Sequence, residues 1–305
     1  KRQIVSGVFG GRTTGTPLTI VIPNENTRSR DYNYGPARPA HADFSAYCKY
    51  HGFEDYRGGG HFSGRITAAL VAAGGVIIPA LEGIGISLAT HIAKCAGVSD
   101  RKLGDIESDI KSLNAKSFPV LDDACGEEMA QRILKAREEA DSVGGVTETV
   151  ICGTPAGVGE PWFDSVESII SHAAFSLGGV KGIEFGAGFG FAALRGSEAN
   201  DPFTMRGGEI ATATNKNGGV NGGITNGMPL VFRTVLKPTP SIYKEQHTVD
   251  YIGRQDAELQ IRGRHDPCIV PRAAVVQNTL TAFGLLDLLT VRYGTLAQKH
   301  GLPQA

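Results

Sequence analysis

The sequence predicts a mixed α and β fold, and two kinds of segment carry the prediction. Runs rich in Val, Ile and Phe stand between Gly and Pro residues, as is typical of strands, at Leu18–Ile22, Thr149–Cys152 and Leu230–Leu236. Between these runs, apolar residues recur every three or four positions, as on one face of a helix. In addition, 41 of the 305 residues are glycine, roughly double the usual share of about 7%. We therefore expect tight turns and Gly-rich loops that carry the chemistry.

Four helices are predicted from apolar periodicity. Asp164 and Glu167 have the three-residue spacing of a capping box, which predicts that the third helix begins at Asp164. No repeat or low-complexity linker divides the chain, so we expect a single domain over residues 1–305. The predicted apolar faces are Ile66, Leu70, Ala73 and Ile77; Met129, Ile133 and Ala136; Val166, Ile169 and Ala173; and Val276, Leu280, Phe283 and Leu286.

Composition excludes several classes of protein. The chain has 30 Lys+Arg and 31 Asp+Glu, a net charge of −1, so no overall positive field attracts nucleic acid. With 41% hydrophobic and 20% charged residues, it has the composition of a globular protein. The longest apolar run, Ala68–Leu81, is shorter than the roughly 18–20 residues of a membrane span, and no signal-peptide pattern opens the chain. We expect a cytoplasmic protein that binds neither membrane nor nucleic acid.

Several common sites are also not expected. The five cysteines are dispersed and form no CxxC pair, which predicts free thiols and no metal site. The sequence lacks GxxxxGK[ST], HExxH and GxSxG. Two partial dinucleotide fingerprints begin at Gly83 and Gly186, but Leu88 and Phe191 stand where the third small residue belongs. A Rossmann domain is therefore not predicted.

Arg57–Arg65, RGGGHFSGR, is the first of four segments with the chemistry of a binding site. Its three successive glycines let the main chain approach a ligand, and its two arginines favour an anion. Ser63 is placed to cap the helix predicted from Ile66, whose free N–H groups attract negative charge. A flexible turn before a core helix is the alternative.

The second segment joins Arg28–Tyr32, RSRDY, to Arg38-Pro-Ala-His41-Ala-Asp43. Its polar, proline-punctuated composition predicts a surface or site loop. Residues 1–65 hold nine Lys/Arg against five Asp/Glu, which favours anion binding in this part of the chain. His41 is either an ordinary histidine or a proton-transfer group, and Asp43 is placed to orient it.

The third segment runs from Asn215 to Gly227, where Gly and Asn are dense, and continues after a strand with Lys237-Pro-Thr-Pro-Ser241. Such a density is typical of a backbone that lies against a ligand, for example a flat ring, although hairpin turns are the alternative. Lys237, Thr239 and Ser241 offer one cation and two hydroxyls on a stiffened loop, which predicts a phosphate clamp.

The fourth segment, Arg262–Cys268, places two guanidinium groups, an imidazole and a carboxylate in five consecutive positions before a long apolar helix. Asp266 is a candidate proton acceptor, because neighbouring Arg and His residues beside an anionic ligand set its pKa. A surface loop of salt bridges is the alternative.

Together these segments resemble the chorismate synthase family over nearly the whole chain. The resemblance rests on five stretches in family order: RSRDY (Arg28–Tyr32), GGGHFSGRITAALVAAGGV (Gly58–Val76), GTPAGVGEPWFD (Gly153–Asp164), TNGMPLVFRTVLKPTPSI (Thr225–Ile242) and RHDPCIVPRAAVV (Arg264–Val276).

This resemblance implies an α+β fold, a single-domain β-α-β sandwich in which antiparallel sheets pack with helices. It implies a lyase of the shikimate pathway of aromatic amino acid biosynthesis, which converts 5-enolpyruvylshikimate 3-phosphate to chorismate by anti 1,4-elimination of phosphate and a ring proton. Reduced FMN is the implied cofactor, and a homotetramer the implied assembly. NADPH as the source of reduced flavin stays open, since no reductase motif is visible. A non-catalytic FMN- or phosphate-binding module is the alternative function.

The resemblance also assigns roles to individual residues. It implies that His41 protonates the reduced flavin near N1 and that Asp266 assists at N5. It implies that Arg38 and Arg65 bind substrate. The implied flavin contacts are His61, Phe62, Ser63, Gly178, Gly179, Gly222, Lys237, Pro238, Thr239, Pro240, Ser241 and Arg264.

Two departures from the family pattern stand out. The Gly-Glu-Ser-His-Gly segment, which carries another family histidine, has no counterpart in Lys1–Gly15, so we expect the sequence to be part of a longer protein. Asn278 stands where the family usually has Glu. We expect a polar exchange at an unshifted helical position.

Overall fold

The computed structural model describes residues 3–25, 34–261 and 265–294. The strands of these residues are β1 Gln3–Ser6, β2 Val8–Phe9, β3 Arg12–Thr13, β4 Thr19–Val21, β5 Ser87–Cys95, β6 Val98–Ser99, β7 Gly145–Cys152, β8 Val180–Phe185, β9 Phe203–Arg206, β10 Glu209–Thr212, β11 Val220–Asn221, β12 Ile224–Thr225, β13 Leu230–Leu236, β14 Gln246–Asp250 and β15 Gln255–Leu259. The α-helices are α1 Asp43–Tyr50, α2 Thr67–Glu82, α3 Ile106–Asn114, α4 Asp123–Glu138, α5 Val166–Phe175, α6 Gly196–Ala199 and α7 Val270–Tyr293.

A five-stranded antiparallel sheet in the order β6-β5-β7-β13-β8 organises the fold. Its central strands alternate in burial, as in β13, where Leu230, Phe232 and Leu236 are buried and Val235 is exposed. This alternation follows from the period of two along a strand, and each large buried side chain contributes about 1.5–3 kcal/mol to folding. The other strands pair in two-stranded antiparallel sheets: β1 with β4, β2 with β3, β9 with β10, β11 with β12, and β14 with β15.

Helix α7 is the core helix. It packs against α2, α5 and the strands β5 and β7, and its side chains Ala282, Leu285 and Leu289 join the same cluster as Leu88 and Phe232 of the sheet. Helix α3 packs on β5 and β7, where Ile110 and Leu113 meet Ala89 and Val150. Leu88, which packs with α7, and Ala89, which packs with α3, are successive residues of β5 and point to opposite faces of the sheet. Helices therefore cover both faces.

A row of charged side chains crosses the sheet. His91, Glu148, Arg233 and Glu184 are register partners on β5, β7, β13 and β8. His91 contacts Asp100 at 2.9 Å and Glu148 at 3.1 Å, and Arg233 contacts Glu148 at 3.1 Å and Glu184 at 2.7 Å. Burial alone lowers the pKa of His91, but the two carboxylates outweigh it and raise the pKa above its ordinary value.

The α+β class predicted from the sequence is confirmed. The predicted strands become β4, the second half of β7, and β13, and the four apolar faces fall on or next to α2, α4, α5 and α7. Two details are wrong. The cap of α5 is Ser165, which accepts from Ser168 N at 3.0 Å, and not Asp164. Phe283 is 58% exposed and lies outside the core. The single-domain assignment stays a prediction.

Two helices within the described ranges are long and apolar enough to span a membrane by length and composition alone. Gly64–Glu82 has a mean hydropathy of 1.7 with 11% of its window buried, and α7 has 1.4 with 61% buried. The run Ala68–Leu81 is thus part of a longer apolar helix than the sequence suggested. Mostly buried core helices of soluble proteins meet the same criterion. The expectation that the chain binds no membrane stays a prediction.

All five cysteines lie within the described ranges and are free thiols. Cys95 and Cys268 are buried, with their sulfur atoms 3.5 Å apart. No group of three or more His, Cys, Asp or Glu side chains with metal-ligand geometry occurs among residues 3–25, 34–261 and 265–294.

Candidate active site

A cavity of about 410 Å³ lies where four loops meet the start of α2 and the start of α7. This volume is within the usual range for small-molecule sites, about 300–1,000 Å³. Its lining is more apolar than polar, with a small number of charged and hydroxyl groups, as in most ligand sites. The lining residues are Ala40, His41, Ala42, His61, Phe62, Ser63, Gly64, Ile66, Thr67, Leu70, Ser176, Gly178, Gly179, Lys237, Pro238, Thr239, Pro240, Ser241 and Ile269.

The glycine-rich wall of the cavity is a 3₁₀ turn, Arg57–Phe62, that leads into a second turn before α2. Gly60 has φ +49°, and a Cβ there would lie 2.7 Å from the Asp55 carbonyl oxygen. Only glycine fits this close approach. Ser63 caps the second turn by accepting from Arg65 N at 3.2 Å. The predicted cap is therefore present, although it caps the 3₁₀ turn Gly64–Ile66 that precedes α2.

Two glycines that also line the cavity, Gly178 and Gly179, follow α5. Gly179 has φ +99°, and a Cβ on it would lie 2.9 Å from Ile269 Cδ1. Its carbonyl accepts from Lys237 N at 2.9 Å, which joins this turn to the end of β13. Gly178 has open space where a Cβ would stand. The pair therefore brings backbone to the cavity without a side chain to fill it.

The Lys237–Ser241 loop forms the polar wall. Lys237 Nζ donates to the Ala40 carbonyl at 2.6 Å, and Ser142 Oγ donates to the Thr239 carbonyl at 2.7 Å. Burial, with a smaller effect of nearby Lys181, lowers the pKa of Lys237. The Thr239 hydroxyl is buried and has no hydrogen-bond partner among the described residues. A buried hydroxyl without a partner costs free energy, which a bound phosphate oxygen would recover.

The adjoining wall carries His41 on a short loop before α1. Arg38 holds the Asp43 carboxylate through Nε at 2.8 Å and NH2 at 2.6 Å, and His41 Nδ1 lies 3.2 Å from the same carboxylate. Burial by itself raises the pKa of Asp43, but the hydrogen bonds from Arg38 and His41 outweigh it and hold the pKa well below its usual range. Asp43 is therefore an anion at neutral pH.

The cavity brings together most of the flavin contacts implied by the resemblance, together with the predicted proton-transfer residue. His41 and the residues of three separated segments line it: His61–Ser63, Gly178–Gly179 and Lys237–Ser241. They meet because β13 and α5 end beside the loops that precede α1 and α2.

Of the other predicted site residues, those that the structure describes do not line this cavity. The Arg38 guanidinium lies on Asp43, Arg65 is exposed, and Gly222 occupies the turn between β11 and β12. Asp266 contacts Arg272 at 2.5 Å. Arg264 and the Arg28–Tyr32 segment lie outside the described residues.

Sequence reasoning missed the apolar part of the lining. Ile66 and Leu70 were predicted on a core-facing helix surface, but both line the cavity. Ile269, in the family-like stretch before α7, also lines the cavity, and the sequence patterns predict no role for it. Periodicity cannot separate a side chain that faces a core from one that faces a cavity, since both surfaces are apolar.

Comparisons with known proteins agree with this arrangement. A sequence profile described as Chorismate synthase matches residues 1–290. The chain belongs to the chorismate synthase family. It is 47% identical over 295 residues to the chorismate synthase of Thermococcus gammatolerans, with 95% of this chain and 81% of that protein covered. It is 45% identical over 291 residues to that of Pyrococcus abyssi, with the same coverage, and 48% identical over 288 residues to that of Chitinophaga pinensis, with 94% and 77% covered.

A solved structure supports the same family. A crystal structure of chorismate synthase superimposes with a TM-score of 0.73 at 26% identity, and covers 96% of this chain and 79% of that chain. The resemblance drawn from five sequence stretches is thus confirmed, as is the expectation of a lyase.

Proposed function

We propose that this chorismate synthase family member converts 5-enolpyruvylshikimate 3-phosphate to chorismate, with reduced FMN bound in the 410 Å³ cavity. One observation carries the proposal. Lys237, Thr239 and His41 all line one largely apolar cavity, and the Thr239 hydroxyl has no hydrogen-bond partner among the described residues. An apolar lining strengthens the electrostatic stabilisation of departing anions.

The residues present fit an FMN phosphate. Lys237 supplies the cation, Thr239 supplies a hydroxyl with no other partner among the described residues, and Ser241 supplies a second hydroxyl in the same loop. Phe62 and Leu70 give apolar surface for a flat ring, and Gly178 leaves space for it. When bound, the reduced flavin supplies electron density to the substrate ring as phosphate leaves.

His41 is the proposed proton-handling residue. Its Nδ1 contacts Arg38 and Asp43, which leaves Nε2 as the nitrogen for proton transfer. The contacts at Nδ1 therefore hold the imidazole at the edge of the cavity, with Nε2 available to exchange a proton.

Asp266 is the second proposed proton-handling residue. It stands three positions before Ile269, which lines the cavity. Its carboxylate contacts Arg272 NH1 at 2.5 Å. Arg38, Arg65, Gly222 and Arg264 are proposed, from the family resemblance, to act on substrate or flavin. Cytoplasmic location and a homotetramer are proposed on the same basis.

The direct test is chorismate formation. The protein, prepared from its complete gene and incubated anaerobically with reduced FMN and 5-enolpyruvylshikimate 3-phosphate, is expected to release chorismate and inorganic phosphate in equal amounts. If FMN binds, the substrate leaves the flavin spectrum unchanged and no chorismate appears, the protein is a flavin-binding module and the proposed reaction is wrong.

Lys237→Met is expected to weaken FMN binding. The substitution keeps the aliphatic stem but removes a charged hydrogen bond to the phosphate, a loss of about 1–3 kcal/mol in binding free energy. Fluorescence titration of FMN measures the change. Lys135→Met, at an exposed position of α4, is the control and should keep the wild-type dissociation constant. An equal constant for both variants would place the phosphate elsewhere.

A further inference from the structure

The His41 loop is built around one ion pair. Arg38 binds Asp43 with Nε, NH2 and its own backbone N–H, at 2.8, 2.6 and 2.9 Å. The side chains of Arg38, His41 and Asp43 are 13%, 17% and 16% exposed. The three side chains thus form a compact, largely desolvated group at the edge of the cavity.

The backbone of this loop is held under strain. Ala40 has φ +57°, a left-handed conformation that is unfavourable for a residue other than glycine. Such a conformation persists only where surrounding contacts fix it. Here His41 N donates to the Arg38 carbonyl at 3.1 Å, and Lys237 Nζ donates to the Ala40 carbonyl. Both contacts are made by the Ala40–His41 peptide, so the backbone directly before the His41 side chain is fixed.

Asp43 and Arg38 make opposite demands on His41 Nδ1. Arg38 NH2, 3.1 Å away, can only donate, whereas the ionised carboxylate of Asp43 can only accept. The terminal nitrogen NH2 of Arg38 carries two N–H groups, and one of them donates to Asp43 at 2.6 Å. The Asp43 carboxylate has lone pairs beyond those that Arg38 uses, and at 3.2 Å it can accept from Nδ1–H of His41.

We propose that Asp43, locked in place by Arg38, is the positioning residue for His41. It accepts the Nδ1 proton and fixes the tautomer that leaves Nε2 for the reaction. In this arrangement Arg38 acts through Asp43. The inference rests on the proposed function, since it assigns how the proton-handling residue of that reaction is oriented.

Other titratable groups near His41 come from three elements. His61, from the turn before α2, lines the same cavity, and Lys237 approaches the loop from the end of β13. Tyr251, after β14, lies near Asp43, and its pKa is raised to about 12 by burial and by that carboxylate. At neutral pH, Tyr251 is therefore a neutral neighbour, and Asp43 is the anion in contact with the imidazole.

Asp43→Asn tests the assignment, with Asp55→Asn as the matched control. Asp55 likewise accepts from the Nε and NH2 of a neighbouring arginine, Arg57, but does not line the cavity. Asp43→Asn is expected to lower kcat by about 10–100-fold, the range for outer partners that orient a functional histidine. FMN affinity should stay within about twofold, since Asp43 has no contact with the phosphate loop. Asp55→Asn should keep the wild-type kcat.

The comparison of turnover with cofactor affinity supplies a readout that a merely structural role would not give. Asp43→Asn should lower kcat while the FMN dissociation constant stays near its wild-type value. A kcat near the wild-type value, or equal losses of FMN affinity and turnover, would each overturn the assignment.

A measurement without turnover keeps this inference separate from the proposed reaction. Nitrogen-15 NMR of the full-length protein reports which ring nitrogen of His41 carries the proton. The Nδ1–H form is expected in the wild type and a mixture of tautomers in Asp43→Asn. An Nε2–H form in the wild type would overturn the positioning role, whether or not chorismate is made. Absence of chorismate with the expected NMR result would overturn only the proposed reaction.

Discussion

Replacing His41 by alanine is expected to reduce chorismate formation by about 10²–10⁴-fold, the usual contribution of a general acid or base. The reason is geometric and electrostatic. His41 lines the cavity that also holds Lys237 and Thr239, and its Nδ1 is engaged by an anionic carboxylate. Single-turnover rates with reduced FMN and substrate measure the effect on chemistry.

Folding and flavin binding should survive this substitution. His172→Ala, at an exposed position of α5, is the matched control and is expected to turn over at the wild-type rate. A normal rate for His41→Ala, with FMN bound, would remove His41 from the reaction and leave it as a lining residue.

His91→Gln is expected to destabilise the fold by about 3 kcal/mol, since loss of one partner from a buried ion pair leaves the other charges uncompensated. His91 is 1% exposed between Asp100 and Glu148. His247→Gln is the control, because His247 also contacts a glutamate but is 94% exposed. Its cost should be below about 0.5 kcal/mol. Urea denaturation at constant pH measures both free energies of unfolding.

The contacts of His91 with Asp100 and Glu148 predict that the free energy of unfolding depends on pH. The folded-state pKa of His91 is raised above 6.5, so between pH 6.5 and that raised value the folded state binds more protons than the unfolded state. The stabilisation from His91 is therefore complete below pH 6.5 and is lost as pH rises through the folded-state pKa. Asp100 and Glu148 have lowered pKa values, so their contribution is lost as pH falls below about 4.

The stability difference between wild type and His91→Gln should thus be largest near pH 5–6 and should shrink at higher pH. Unfolding measured across this range checks the sign. A difference that grows with rising pH would show that His91 is buried in the neutral form, and that its contacts with the carboxylates are weaker than the burial penalty.

Local sequence signals were sufficient for the main elements of the fold. Leu230–Leu236 alternates and is bounded by Pro229 and Lys237-Pro238, and it forms β13 over the same residues. The apolar face that includes Val276 and Leu280 forms part of α7. Phe283 was misplaced because α7 is buried on most of its circumference, so the helix lacks a single apolar stripe from which to read the exposed side.

The candidate site was predicted in composition and only partly in arrangement. His61–Ser63 and Lys237–Ser241 were chosen for separate chemical reasons, and they meet in one cavity. Asp266 was predicted from its local chemistry and Arg38 from the family resemblance, and each is found in an ion pair with a residue close in sequence. A free cation and a cation paired with Asp43 look alike in the sequence, because pairing depends on rotamers and loop conformation.

The sequence by itself determined the family, the α+β class and the chemical groups available for phosphate and proton transfer, because these depend on residue type and local order. Only the tertiary structure decided which of those groups share a cavity. It also decided that Lys237 donates a hydrogen bond to the carbonyl of the strained residue Ala40, and that Arg38 forms an ion pair with Asp43. These relations join residues up to 197 positions apart, and packing of β13, α2 and α7 brings them within hydrogen-bond distance.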